Sequence, residues 1–203
     1  IGFIWQPFLS LAEIPLILVL RAFGLMMMAG PAVTAFFGAL AVMLIYKISL
    51  LINPNNKLLS SVISVLFGLN PLILLYSSIG TSEAVFIFSL IASSYFLVKW
   101  FYIMNQLNLI QTGVFMSFSF WSRYESVPAI IAFIFLLVIQ SIFKRTGYKK
   151  LESTLILFIL PFAFSVGLWI MSNWIIMKNP FYFFNSEYSN SAFTAAIKNN
   201  PQA

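Results

Sequence analysis

Residues 127–143 read VPAIIAFIFLLVIQSIF, seventeen positions without an ionisable side chain. They are bounded by Trp121-Ser122-Arg123-Tyr124-Glu125-Ser126 on one side and by the basic run 144–150 on the other. A helix of that length rises about 25 Å, close to the roughly 30 Å of a bilayer's hydrocarbon core. Ser126 and Pro128 are ordinary helix-start signals, so the segment is expected to enter as a helix from the Trp121–Ser126 side.

Outward from this segment the pattern repeats. Apolar stretches cover 26–46, 58–76, 84–100, 107–121 and 153–177, the 107–121 stretch being of marginal length. Punctuation separates them: Asn53-Pro54-Asn55-Asn56, Gly80-Thr81-Ser82 and Asn105-Gln106. Nothing alternates with period two, which excludes membrane strands. The expected fold is an all-α, polytopic transmembrane helical bundle, with about six membrane spans in 24–178 and a tail in 179–203. Residues 1–22 are apolar but interrupted by Gln6, Pro7, Glu13, Pro15 and Arg21, a pattern expected of an interfacial helix.

Composition agrees. Of 203 residues, 61% are hydrophobic and 8% charged, with a mean hydropathy of +0.97; soluble domains carry roughly 25% charged residues. There is no Cys and no His, which excludes disulfides, Cys/His zinc sites, thiol nucleophiles and a Ser-His-Asp triad. Acid-base chemistry must rest on five acids, all Glu. The eleven cations are spread thinly between apolar runs, so no nucleic-acid partner is expected.

Those cations assign direction. With 53–56 and 144–150 in the cytoplasm, the inner side carries Lys47, Lys57, Lys99, Lys144, Arg145, Lys149 and Lys150, against Arg21, Arg123, Lys178 and Lys198 outside, the bias of the positive-inside rule. Glu13, Glu83, Glu125 and Glu187 then fall outside and only Glu152 inside. Either outer loops simply tolerate acids, or the outer face is a polar working surface. The expected location is the plasma membrane of a prokaryote, with the active face extracytoplasmic. Six spans put both ends outside, and a chain starting at Ile1 without Met or signal peptide is expected to be a piece lacking at least one preceding span.

Two breaks carry candidate chemistry. In Tyr76-Ser77-Ser78-Ile79-Gly80-Thr81-Ser82-Glu83, Thr81 or Ser82 can cap the next helix with Glu83 in its first turn. The same helix start suits an anion, with Glu83 holding a sugar hydroxyl or a cation. In Trp121–Ser126 a cation, an acid and a phenol share one tight turn. This is either an interfacial Arg-Glu pair with aromatics at headgroup depth or a phosphate site, for which Arg is well suited. Glu83, Arg123, Tyr124 and Glu125 are therefore the candidate substrate or donor-phosphate residues. The aromatic segment from Asn179-Pro180-Phe181-Tyr182 to Ser189 fits an interfacial belt or a groove for a lipid tail or sugar ring. Pro71 and Pro161 are expected to kink their spans, and Pro31 to kink the first span or mark its start.

Taken in order, these segments resemble the GT-C superfamily of membrane glycosyltransferases, in the branch of protein O-mannosyltransferases and lipid A aminoarabinose transferases. Trp5-Gln6-Pro7-Phe8 is similar to that branch's Trp-x-Pro helix, Phe23-Gly24 to its Phe-Gly, and Pro31 through Tyr46 to its Pro-led span. Tyr76 to Glu83 resembles its Tyr-Ser…Glu, Gly113 through Arg123 to Phe143 its Gly, basic residue and long apolar helix, and Asn179 to Phe183 its Asn-Pro-Phe-Tyr-Phe loop.

The resemblance covers nearly the whole chain. It implies a hexosyl or pentosyl transferase that moves a sugar from a polyprenyl-phosphate donor to an acceptor hydroxyl on a glycan, lipid or protein. A divalent cation, Mg or Mn, assists in some members. Glu83 matches the second acidic site and Arg123 the basic residue, while Glu125 has no counterpart. The principal catalytic acid of the family lies in a loop before the Trp-x-Pro helix, so it is expected upstream of Ile1, and this piece alone is expected to be inactive. The competing readings are a multi-span transporter or lipid flippase without catalysis, and a non-catalytic membrane subunit.

Overall fold

The computed structural model describes residues 6–145 and 147–182. Among them every regular element is helical: α1 (Phe8–Arg21), a single 3-10 turn (Met26–Met28), α2 (Ala29–Ile52), α3 (Lys57–Gly68), α4 (Pro71–Tyr76), α5 (Ser82–Ile103), α6 (Gln106–Ser122), α7 (Ser126–Phe143) and α8 (Tyr148–Met177). Four segments are long and apolar enough to cross a membrane: Met26–Ile52, Ser82–Ile103, Ser126–Phe143 and Tyr148–Met177. The expected stretches 58–76 and 107–121 are met by shorter elements, each for a physical reason.

The first is a break rather than a kink. Pro71 lacks an N–H and its ring clashes with the carbonyl one turn back, so a helix running through Gly68 cannot continue. Asn70 adopts an extended conformation, and its side chain accepts a 2.9 Å hydrogen bond from the Leu72 N–H, restarting the chain as α4. The expected bend at Pro71 is thus two helices, with Pro71 as the first residue of the second. Asn56 and Asn105 cap α3 and α6 in the same way, each at 2.9 Å. Pro161 does lie inside a continuous helix, and Pro31 falls in the first turn of α2, marking its start.

The second, α6, is short and moderately apolar because it faces protein. Asn108, Thr112, Gly113, Ser117, Ser119 and Ser122 are all buried. The hydroxyls of Thr112, Ser117 and Ser122 bond back to carbonyls one turn earlier, at Asn108 (2.8 Å), Gly113 (2.9 Å) and Phe118 (2.9 Å), which lets small polar residues sit at helix interfaces. Ser93 of α5 donates across to the Thr112 carbonyl at 2.8 Å. On the far side, a Cβ on Gly113 would strike the Phe158 carbonyl oxygen and approach Pro161 Cγ to 3.1 Å, so only Gly admits α8 this closely.

Two cores follow from that arrangement. Leu97, Trp100, Leu109, Met116, Ile130, Leu137 and Phe158 join α5, α6, α7 and α8, while Ala41, Leu44, Phe88 and Ala92 join α2 to α5. Outward-facing apolar side chains such as Phe135, Ile142, Leu160 and Phe164 are exposed, as a bilayer solvent requires.

Contacts between elements set their directions. Gly113 meets Phe158, Trp121 bonds Ser165, and Tyr124 meets Trp169, so α6 and α8 run parallel. Gly68 lies against Val42, Ser77 against Gly38 and Gly80 against Gly30, so α3 and α4 return along α2 in the opposite direction. The starts of α2, α5 and α7 and the ends of α4, α6 and α8 thereby share one end of the bundle.

Candidate functional site

At that shared end the carboxylates converge. Glu83 stands in the first turn of α5, which begins where the backbone turns at Gly80 (φ +71°). A Cβ on Gly80 would lie 3.1–3.2 Å from the backbone of Gly30, so two main chains touch here without side chains between them. Thr81 holds the expected N-cap position of α5, but its side chain makes no capping hydrogen bond. The expectation of a side-chain cap from Thr81 or Ser82 is therefore corrected. The Glu13 carboxylate approaches the same place from α1, with Oε1 3.1 Å from where a Gly30 Cβ would stand, and partial burial raises its pKa.

Arg123 ends α6 in an extended conformation (φ −157°, ψ 145°) that turns its side chain across the bundle end. Its Nη1 pairs with Glu83 Oε1, forty positions earlier, and its Nη2 with Glu125 Oε1 at 2.7 Å. The Arg123 and Glu83 side chains are 30% and 28% exposed, whereas Glu125 is 57% exposed, so one partner is fixed in the structure and the other stands mostly in solvent. The hydrogen bond from Arg123 holds the Glu125 carboxyl below its ordinary pKa, and that bond in turn raises the Arg123 pKa. Two carboxylates on one guanidinium leave the cluster with one net negative charge.

Tyr124, between them, turns inward. Trp169 of α8 donates its indole N–H to the Tyr124 oxygen at 3.2 Å, and burial pushes the phenol up to about 12, so Tyr124 stays neutral at physiological pH. One turn further on, Asn173 donates to the Trp169 carbonyl at 2.9 Å. Its Oδ1, like the hydroxyl of Ser126, is buried without a protein hydrogen-bond partner.

All four expected residues thus lie at one end of the bundle: Arg123 joins Glu83 and Glu125 directly, while Tyr124, between Arg123 and Glu125 in the chain, turns to Trp169. Glu152, in contrast, sits in the first turns of α8 at the opposite end. Glu187, Trp5, Lys198 and most of the 179–203 tail lie outside the described residues. Trp169, Asn173 and the Trp121 bond to the Ser165 carbonyl (3.2 Å) are additions that no motif announces. The readable signal is the spacing of Ser165, Trp169 and Asn173, which puts three hydrogen-bonding residues on one face of an otherwise apolar helix.

The two carboxylates that converge do so on either side of a guanidinium, and no group of three or more potential metal ligands is present among the described residues. Comparison with known protein families, with curated proteins and with solved structures finds no match.

Proposed function

We propose that the chain is the membrane core of a glycosyltransferase that moves a sugar from a polyprenyl-phosphate donor to an acceptor hydroxyl at the extracytoplasmic face. In this reading α2, the α3–α4 pair, α5, α6, α7 and α8 make six crossings, α1 lies in the outer interface, and the carboxylate end faces away from the cytoplasm. The observation that carries it is the clustering of Arg123, Glu83, Glu125 and Tyr124 at one end, opposite the end bearing Lys57, Lys144, Arg145, Lys149 and Lys150.

In the reaction the acceptor oxygen attacks the anomeric carbon, its proton passes to a carboxylate, and the lipid phosphate leaves with the bonding electrons. Arg123 stabilises the charge that develops on the departing phosphate. Carboxylates and the Trp121 and Tyr124 rings at the same end suit sugar hydroxyls and sugar faces. Glu83 and Glu125 are both engaged with Arg123, so neither is assigned as the proton acceptor.

A transfer assay on the full-length protein, with the segment upstream of Ile1 restored and labelled polyprenyl-phosphate sugar supplied, comparing the unaltered sequence with Arg123→Ala and Glu83→Gln, tests this. A fall of at least a hundredfold in kcat/KM for Arg123→Ala is expected, the usual cost of removing one charge-stabilising donor. Unchanged transfer in both variants removes the site assignment. A lipid flippase or transporter draws on one specific observation, the interrupted α3–α4 return, since broken helices bind substrate in such proteins. Its acids, however, would be expected near mid-membrane rather than at helix ends.

A further inference from the structure

The grip on Arg123 is lopsided. A guanidinium offers a planar fork that a carboxylate can fill with both oxygens, yet each acid here uses a single oxygen, Glu83 on Nη1 and Glu125 on Nη2. Glu83 is set by the backbone of a 22-residue helix and is 28% exposed. Glu125 stands on the three-residue turn 123–125 between α6 and α7 and is 57% exposed. Swinging Glu125 into solvent forfeits one exposed ion pair, a small loss. Removing Glu83 would leave a half-buried guanidinium without its inner partner, a larger one.

We infer that Glu125 is a built-in competitor for an anion seat on Arg123 and yields that seat to the phosphate of an incoming lipid-linked substrate. The inference rests on the reading that assigns a lipid phosphate to Arg123. A phosphate oxygen has the charge and acceptor geometry to replace the Glu125 carboxylate on Nη2, while Glu83 keeps Nη1 and so keeps the guanidinium aimed. With both acids seated the cluster is net negative and repels an anion. With Glu125 swung out, the local balance between Arg123 and Glu83 is neutral. Glu125 therefore covers Nη2 until an anion displaces it and sets how tightly phosphate binds.

The test is binding rather than transfer. The full chain in neutral phosphatidylcholine nanodiscs is titrated with farnesyl phosphate by calorimetry, alongside Glu125→Gln and Arg123→Ala. The Gln variant keeps the shape and removes the competing charge, so binding should tighten about two- to fivefold, the worth of one exposed charge contact, while Arg123→Ala abolishes it. Tryptophan emission of each variant reports that the bundle is intact, and Glu125→Ala replaces the Gln variant if the latter fails to fold. Binding lost in Arg123→Ala but unchanged or weaker in Glu125→Gln overturns the competitor role and leaves Arg123 as the phosphate seat. No saturable binding, or binding indifferent to Arg123, overturns the assignment of phosphate to Arg123 and this inference together.

Discussion

Trp169 donates its indole N–H to the phenolic oxygen of Tyr124 across 3.2 Å, tying the middle residue of the α6–α7 turn to a helix forty-five positions later. Trp169 is buried at 3% exposure, so the bond forms where water competes poorly. In a double-mutant cycle of Trp169→Phe and Tyr124→Phe, followed by thermal unfolding in detergent, a coupling of about 1 kcal/mol is expected. Additive effects would mean that the two side chains do not support each other.

Gly113 offers a sharper packing test. Gly113→Ala puts a methyl against the Phe158 carbonyl and Pro161, and should cost about 1–3 kcal/mol by forcing α6 and α8 apart. Gly167, in the same α8, has open space around it. Gly167→Ala should therefore stabilise by up to about 1 kcal/mol through helix propensity. Equal melting temperatures for the two variants would refute the close approach of α6 and α8.

Gly80 combines two demands, a left-handed backbone (φ +71°) and main-chain contact with Gly30. Gly80→Ala should lower stability by about 1–2 kcal/mol and displace the first turn of α5, which carries Glu83. Loss of Arg123-dependent phosphate binding without loss of helix content is the expected signature. Unaltered binding would separate this turn from the site.

The acid limb of stability has a defined sign at Glu125. Its folded-state pKa is depressed by the hydrogen bond from Arg123, so the stabilisation it contributes is present above the ordinary carboxylate pKa and is lost as pH falls through the depressed value. The melting temperature of Glu125→Gln should be lower than that of the unaltered chain near neutrality and converge with it as the pH falls through that depressed value. Glu13 has the opposite sign. Its pKa is raised by burial, so Glu13→Gln should stabilise near neutrality and have no effect in acid.

Because the chain contains no Cys, a single introduced thiol is an unambiguous reporter of sidedness. Glu125→Cys should react with an impermeant maleimide applied from outside intact cells, and Lys149→Cys only after permeabilisation. The reverse pattern would turn the bundle over and remove the proposed working face.

Much of the fold is legible because the property that decides it, the absence of charge over long runs, is written in composition. The boundary at Ser126 and the helix start at Pro31 follow from local chemistry. The α3–α4 break is not legible in the same way, because 58–76 is uniformly apolar and hydropathy does not register that Asn70 can restart a helix where Pro71 stops one. The purpose of α6 is hidden for the opposite reason: its serines and threonines weaken its hydropathy, yet they are what allows it to lie between α5 and α8. For the site, the sides assigned to Glu83 and Arg123 bring them to one face, but their direct pairing depends on an α5–α6 packing that no local motif encodes.

That pairing also bears on assembly. Glu83 and Arg123 sit at the two open ends of a single hairpin formed by α5 and α6, whose connecting turn at residues 104–105 lies at the other end of the bundle. If those two ends cross the membrane together, their charges of opposite sign can cancel each other during passage, so neither has to traverse the hydrocarbon as an isolated ion. The ion pair then serves the newly made chain before any substrate is present, and a variant lacking one partner would show its first defect as a lower yield of inserted protein.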